Sequence, residues 1–529
     1  MKSAPVLFDA NGNFGKPSAG SPEFPTLADR LAFMDRFGIA RSLVWNVESA
    51  QNHAGAANRA MLDQIRATPG ASGHIIPAFS VSGLMPYEKG GVEGLVDQMA
   101  EGGTRALRFV NVFGRLTLRQ LDPVMAVIRK RKPFLVLRYD QAGVEDIADF
   151  AERYPEVPLI LTEVMWGPCL SVFDLMRRRT NILVDNSWMH TFDAIKLIVD
   201  RFGAERLVFG TGYKSHNGAA MAALARADIT DRQRRLIAGG NLERLAGLKP
   251  CAPRLAVDTP GNTVWRRFLD GRPLGVGAID AHGHLGPSGG YVLTAQDEAK
   301  QIPAALTTMD AAGIDTMIIS GLQALMGGPV EGNDRVESLL KPVSARIKGY
   351  VVFNPFYEKE LIPRLDRYFS GSVFVGFKTL CDYWKIPIDD PRFDPMWRYA
   401  ERHRLPVLNH TWNGSYDSPA MLAAVVKRYP HIPVLLGHSG GGDAGRREAV
   451  TLAKENKNVY LEWCGSFCST IPWEETLREV DYRQVVFGTD AMAHDIHWEL
   501  GRLLSLNVPD TVLESILGGT MSRILAMRR

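Results

Sequence analysis

Ala278-Ile279-Asp280-Ala281-His282-Gly283-His284 is a short β-rich run ending in two histidines two residues apart, and it echoes Leu7-Phe8-Asp9-Ala10-Asn11-Gly12-Asn13 near the start of the chain. Further out, Val486-Phe487-Gly488-Thr489-Asp490 echoes Val208-Phe209-Gly210-Thr211-Gly212, and Ile432-Pro433-Val434-Leu435-Leu436 echoes Val157-Pro158-Leu159-Ile160-Leu161. Gly518-Gly519 likewise repeats Gly239-Gly240. Landmarks in the same order at nearly constant separation predict a tandem duplication. The join falls between Lys249 and Asn262, where Pro250, Pro253, Pro260 and Gly261 interrupt any helical period. The expected division is 1–250, a linker over 251–272, and 273–529, with the boundary near residue 260. Each half then matches the roughly 250 residues of a (β/α)8 barrel.

The second half reads as β-rich apolar runs alternating with helical patterns, ending near His284, Ser320, Phe353, Lys378, His410, His438, Trp463 and Asp490. Asp394 to Arg404 and Ser418 to Tyr429 carry apolar residues at helical spacing and read as crossovers. The first half has a parallel series near Asp9, Trp45, Phe79, Phe109, Tyr139, Leu161, Val184 and Thr211. This alternation predicts an α/β protein built of two tandem TIM-like (β/α)8 barrels.

Composition narrows the function class. With 46% apolar and 22% charged residues the chain is an ordinary globular protein, and 61 basic against 58 acidic side chains leave a formal charge of only +3. So small a balance argues against a nucleic-acid partner. There is no uninterrupted apolar stretch of membrane-spanning length, and the first residues do not form a secretory signal pattern, so the expectation is a cytoplasmic protein without membrane attachment. Five scattered cysteines do not make a disulfide framework. The Cys464-x-x-x-Cys468 pair is one residue longer than C-x-x-C and has no second pair beside it, which disfavours a metal or redox role.

Chemistry concentrates at the ends of the second half's runs, where His282, His284, Lys378, His410, His438 and Asp490 fall. In such barrels the C-terminal ends of the strands carry the active site. Residues two apart on a strand share a face, so His282 and His284 can chelate one ion, with Gly283 giving room. Imidazole and carboxylate suit zinc, manganese or iron.

At these residues the sequence resembles the amidohydrolase superfamily, in particular its amidohydrolase-related branch of metal-dependent hydrolases and decarboxylases. The resemblance covers Gly277 to Leu525 and includes Gly376-Phe377-Lys378, Pro387 to Pro395, Leu405 to Thr411 and Leu436-Gly437-His438. It implies metal ligation by His282, His284, His410 and Asp490, with one ion favoured over two and zinc placed before manganese and iron. It implies catalytic roles for Asp490, His438 and Lys378, the last also matching the position that, when carboxylated, bridges two metals in some relatives. Loops after the strands offer Asn354, Tyr357, Tyr383, Trp384, Trp412, Asn413, His494 and His497 for substrate contact, and their aromatic members favour a flat or partly apolar organic acid, lactone or amide.

The first half departs from this pattern. Asn11 and Asn13 replace the histidine pair, Arg138 or Tyr139 stands at the fifth-strand site, Glu163 at the sixth and Gly212 at the eighth. A degenerate barrel without metal is expected, with Arg105, Arg108, Arg138, Tyr139 and Glu163 as a cluster able to take a carboxylate. The leading expectation for the whole is hydrolysis of a small lactone, amide or ester by metal-activated water. Its alternatives are non-oxidative decarboxylation of an aromatic or enoic acid, and a non-catalytic binding scaffold. The expected partner is a small-molecule substrate, with the two barrels packed together and a homo-oligomer as a further expectation.

Overall fold

The structure is a computed structural model that describes residues 5–111, 114, 116–165, 167, 169–213, 216–257, 263–286, 298–414, 416–465 and 470–529. The chain forms two compact units, Met1–Thr259 and Pro260–Arg529. A helix, Thr263–Leu269, occupies part of the span expected to be linker. The chain can resume helix there because Asp510 accepts hydrogen bonds from Thr263 N at 2.9 and 3.0 Å, satisfying a donor at the helix start.

In the second unit eight parallel strands pair in chain order: β10 (Ile279–Leu285), β11 (Thr316–Gly321), β12 (Ile347–Val352), β13 (Phe374–Thr379), β14 (Val407–His410), β15 (Val434–Gly437), β16 (Val459–Trp463) and β17 (Val485–Phe487). Closure comes from Asp490 N donating to His282 O at 2.7 Å and a bridge between Gly283 and Ala491. Every strand gives a residue to one buried cluster: Ala281, Ile318, Tyr350, Val375, Leu408, Leu435, Tyr460 and Val486, joined by Met521 and Ile524 of the helix Thr520–Ala526. The barrel is therefore a packed core and not a pore. The crossover expected over 394–404 is the helix Asp394–His403.

In the first unit the strands are β1 (Leu7–Phe14), β2 (Ile39–Asn46), β3 (Ile75–Pro77), β4 (Phe79–Val81), β5 (Ala106–Phe109), β6 (Phe134–Arg138), β7 (Leu159–Thr162), β8 (Ile182–Asp185) and β9 (Leu207–Val208). They form parallel sheets in the orders β1-β2-β3 and β4 to β9. One expected run is thus two segments, split at Ala78, whose N–H still donates to Val44 O at 2.9 Å. Ala10 N donates to Phe209 O at 2.8 Å and joins the first strand to the last.

The likeness of the two units extends to backbone detail. Asp9 Oδ1 accepts from Asn11 N at 2.9 Å and Thr211 N at 2.8 Å, and Asp280 Oδ1 from His282 N at 3.1 Å and Thr489 N at 3.0 Å. Both units also carry a π-helical turn at the repeated glycine pair, Leu236–Gly240 and Ser515–Gly519, each running into a further helix. Among the described residues no helix is long and apolar enough to cross a membrane.

Candidate metal centre

β10 delivers His282 and His284 to the mouth of the second barrel, where the imidazole centroids lie 5.1 Å apart. Across β17, Asp490 Oδ1 is 2.8 Å from His284 Nε2 and 3.7 Å from His282 Nε2. Asp490 sits in the left-handed region at φ 60°, which turns its carboxylate back over the strand ends. His438, at φ 63° after β15, brings its ring to 5.1 Å from that of His282 and 4.9 Å from that of His410. One backbone device recurs in the first unit, where Glu163 has φ 59° at the position matching His438.

A second layer of carboxylates orients these rings. His282 Nδ1 donates to Glu462 Oε2 at 3.0 Å, and the same oxygen accepts from His438 N at 3.0 Å. His410 Nδ1 donates to the buried Asp417 Oδ2 at 2.7 Å, and His284 Nδ1 pairs with Ser320 Oγ at 3.0 Å. Such partners fix the tautomer and aim the other nitrogen inward. Space for Glu462 is made by Gly488, where a Cβ would stand 2.1 Å from Glu462 Oε1 and 2.8 Å from His282 Cβ. The first unit repeats the arrangement, with Asp185 Oδ1 accepting from Glu163 N at 3.0 Å and a Cβ on Gly210 falling 2.3 Å from Asp185 Oδ2.

The electrostatics favour neutral imidazoles beside an ionised aspartate. Burial, then Lys378, holds His282 well below the usual histidine range, and burial does the same to His438. Burial would raise Asp490, but His494, His284 and His282 outweigh it and hold its carboxyl well below the usual range. Burial also lowers Lys378 and raises Glu462. His494 lies 3.7 Å from Asp490 and 3.8 Å from Glu499, and these carboxylates overcome its burial to hold it above its usual value.

Two sets of ligating atoms converge among the described residues: His282, His284 and Asp490, and His282, His438 and Cys464. The first set joins two imidazoles to a carboxylate, the chemistry of a divalent transition-metal site with room for further ligands. His410 is brought next to His438 rather than into either set. Cys464 lies outside the sequence-derived site, yet its Sγ is 3.1 Å from His282 Nδ1, 3.5 Å from His438 Nδ1 and 3.2 Å from Glu462 Oε2. The one sequence signal for this placement is that Cys464 follows the strand carboxylate Glu462 by two residues, the spacing that puts both on one face. Cys468 lies outside the described residues. Burial pushes the Cys464 thiol well above its usual value.

The loop residues separate into two groups. The Trp412 ring stacks at 6.2 Å on His410 and meets His438 at 6.0 Å, and the Tyr383 ring stands edge-on to His410 at 5.8 Å. Asn413 is exposed beside them. Trp384 instead donates its indole N–H to Leu325 O at 2.8 Å, and Asn354 Oδ1 accepts from Phe356 N at 3.1 Å as a turn cap. Tyr357 is exposed in that turn, and His497 packs against Phe268 at 6.2 Å.

In the first unit the expected arginine cluster is smaller than its sequence suggested. Arg105 precedes β5, at the end of the barrel opposite the mouth, and its guanidinium lies against Gly247, because its place before the strand and not after it sets its direction. Arg108, Arg138 and Glu163 gather at the mouth, with Asn11 Nδ2 donating to Glu163 Oε1 at 3.1 Å and Arg108 Nη1 donating to Asn11 Oδ1 at 3.1 Å. Tyr139 directs its hydroxyl to Met165 Sδ at 3.9 Å.

Compared with known proteins, residues 14–248 and 279–526 each match the family model described as amidohydrolase. No curated protein matches the chain. Among solved structures, 5-carboxyvanillate decarboxylase from Sphingomonas paucimobilis is similar at 13% identity and TM-score 0.38, covering 47% of this chain and 99% of that one. The 2,6-dihydroxybenzoate decarboxylase from Rhizobium is similar at 16% identity and TM-score 0.39, with 48% and 99% covered. An uncharacterized TIM-barrel protein from Bordetella bronchiseptica gives 17% identity and TM-score 0.40, also with 48% and 99% covered.

Proposed function

The chain belongs to the amidohydrolase family, and from that premise we propose that its second barrel is a metal-dependent hydrolase of a small, flat carbonyl compound such as a lactone, amide or ester. The observation carrying this reading is the convergence of His282, His284 and Asp490 in one mouth. His282, His284, His410 and Asp490 are the proposed ligands of one divalent ion, zinc before manganese or iron. The ion would polarise the substrate carbonyl and make water acidic toward a pKa of about 7.

The residues themselves then divide the work. Asp490, held ionised by the histidines around it, accepts the proton of the attacking water and returns it to the leaving group. His438 is held neutral and so acts as a hydrogen-bonding group, while Lys378, 1% exposed, offers Nζ as a hydrogen-bond donor to a developing oxyanion. Trp412 and Tyr383 provide aromatic walls beside His410 that suit a planar substrate. Those walls also favour a second reading, decarboxylation of an aromatic acid at the same centre.

Turnover of a panel of aryl lactones, amides and aromatic acids in oxygen-labelled water separates the two. Label in the product, with loss in Asp490→Asn, is expected for hydrolysis. Carbon dioxide release without label overturns it in favour of decarboxylation.

A further inference from the structure

The first barrel has Asn11 and Asn13 where the second has the histidine pair, and the guanidinium of Arg108 where the second has Lys378. Arg108, 2% exposed, lines a cavity of about 540 Å³ at the mouth, together with Lys16, Arg138, Trp45 and Tyr213. This volume lies within the range of small-molecule sites. Asn11, standing where the first histidine of the pair would be, holds Arg108 Nη1 at 3.1 Å, and Thr162 Oγ1 holds it at 3.4 Å. The Arg108 guanidinium also lies 4.9 Å from the Trp45 ring centroid. Asn11 therefore holds Arg108 as His282 meets Lys378 in the other barrel, but with an amide in place of the metal-ligating imidazole.

We propose that this mouth is a metal-independent binding site for a small planar organic carboxylate. Three cationic side chains line the cavity against Glu48, whose carboxylate is near Lys16 N at 3.4 Å. Glu163, the carboxylate whose charge acts most strongly on Arg108, is already committed to Asn11 Nδ2 at 3.1 Å and Tyr213 N at 2.6 Å. Arg108 Nε has no hydrogen-bond partner among the described residues, so the buried cation is incompletely compensated and an anion at the mouth would offset that cost. Arg138 is engaged by Asp140 through Nε, and neither terminal nitrogen has a partner among the described residues, the geometry that takes a carboxylate in two parallel bonds. Trp45 and Tyr213, with centroids 6.1 Å apart at 34°, form an aromatic wall for a flat ring. The inference stands apart from the catalytic reading of the second barrel.

The test is calorimetric titration of benzoate into the full chain carrying His282→Ala and His284→Ala, with a chelator present, so that the second barrel's centre is dismantled. Binding of about one equivalent is expected, weakened about tenfold or more by Arg138→Gln, with benzyl alcohol failing to bind. Arg138 is half-buried at the rim, and unchanged circular dichroism verifies that its variant folds. No binding up to about 10 mM, equal affinity in Arg138→Gln, or equal affinity for benzyl alcohol overturns the proposal.

Discussion

Lys378 Nζ lies 2.8 Å from His282 Nε2 in the mouth of the second barrel. Since His282 Nδ1 is turned to Glu462, Nε2 carries the lone pair that accepts from Lys378, and the same lone pair would face a metal. Ammonium and metal cannot use it together. Lys378→Gln is therefore expected to retain about one equivalent of metal if the lysine is no ligand, and His282→Ala with His284→Ala to lose it. Elemental analysis of the purified proteins decides. Two equivalents in the parent falling to one in Lys378→Gln would make the lysine a bridging ligand.

Glu462 supports both His282 and His438 through one oxygen. Replacing its carboxyl by an amide in Glu462→Gln should weaken metal binding about 10- to 100-fold, the usual effect of losing an orienting carboxyl group behind a ligating histidine. Competition with a chromophoric chelator measures this. Unchanged affinity would reduce Glu462 to a packing role.

At Gly488 the constraint is steric. The Cβ of Gly488→Ala would fall 2.1 Å from Glu462 Oε1, with His282 Cβ behind it. A cost of about 1–3 kcal/mol is expected, as for other overpacked core sites, together with weaker metal binding. The denaturation midpoint and the same chelator assay report the two effects, and an unchanged midpoint would mean that Glu462 moves freely.

A pH dependence follows from Asp185 in the first unit. Burial pushes its carboxyl up to about 7, despite hydrogen bonds from Ser187 Oγ and Glu163 N. Its value in the unfolded chain is about 3.9, so the folded state favours the protonated form. The stability it contributes is complete below about pH 4, is lost as pH rises toward 7, and changes no further above that, a span on the order of 2–4 kcal/mol. Asp185→Asn mimics the protonated group, so the gap in unfolding midpoint between variant and parent should widen in the variant's favour from pH 4.5 to 8. A gap that does not vary with pH would defeat this account.

Much of this was legible along the chain. The repeat showed through Asp9 and Asp280, because each accepts from the backbone N–H two residues on and from the equivalent threonine N–H, tying the first strand to the last. Strand ends were visible because apolar runs stop where polar side chains begin. Less legible were Trp384 and Arg105, where residue type suggested a site but the direction of the side chain led to Leu325 and Gly247.

By itself, then, the sequence determined the tandem α/β barrels and the order in which histidines, lysine and aspartate meet the strand ends, since both are local patterns of period and polarity. Only the tertiary structure decided that Cys464 joins His282 and His438, that Glu462 and Asp417 aim the rings, and that Arg108 is seated on Asn11. These depend on atoms far apart in the chain, brought within about 3 Å by barrel closure, and a strand's own alternation has no information about what faces it across the mouth.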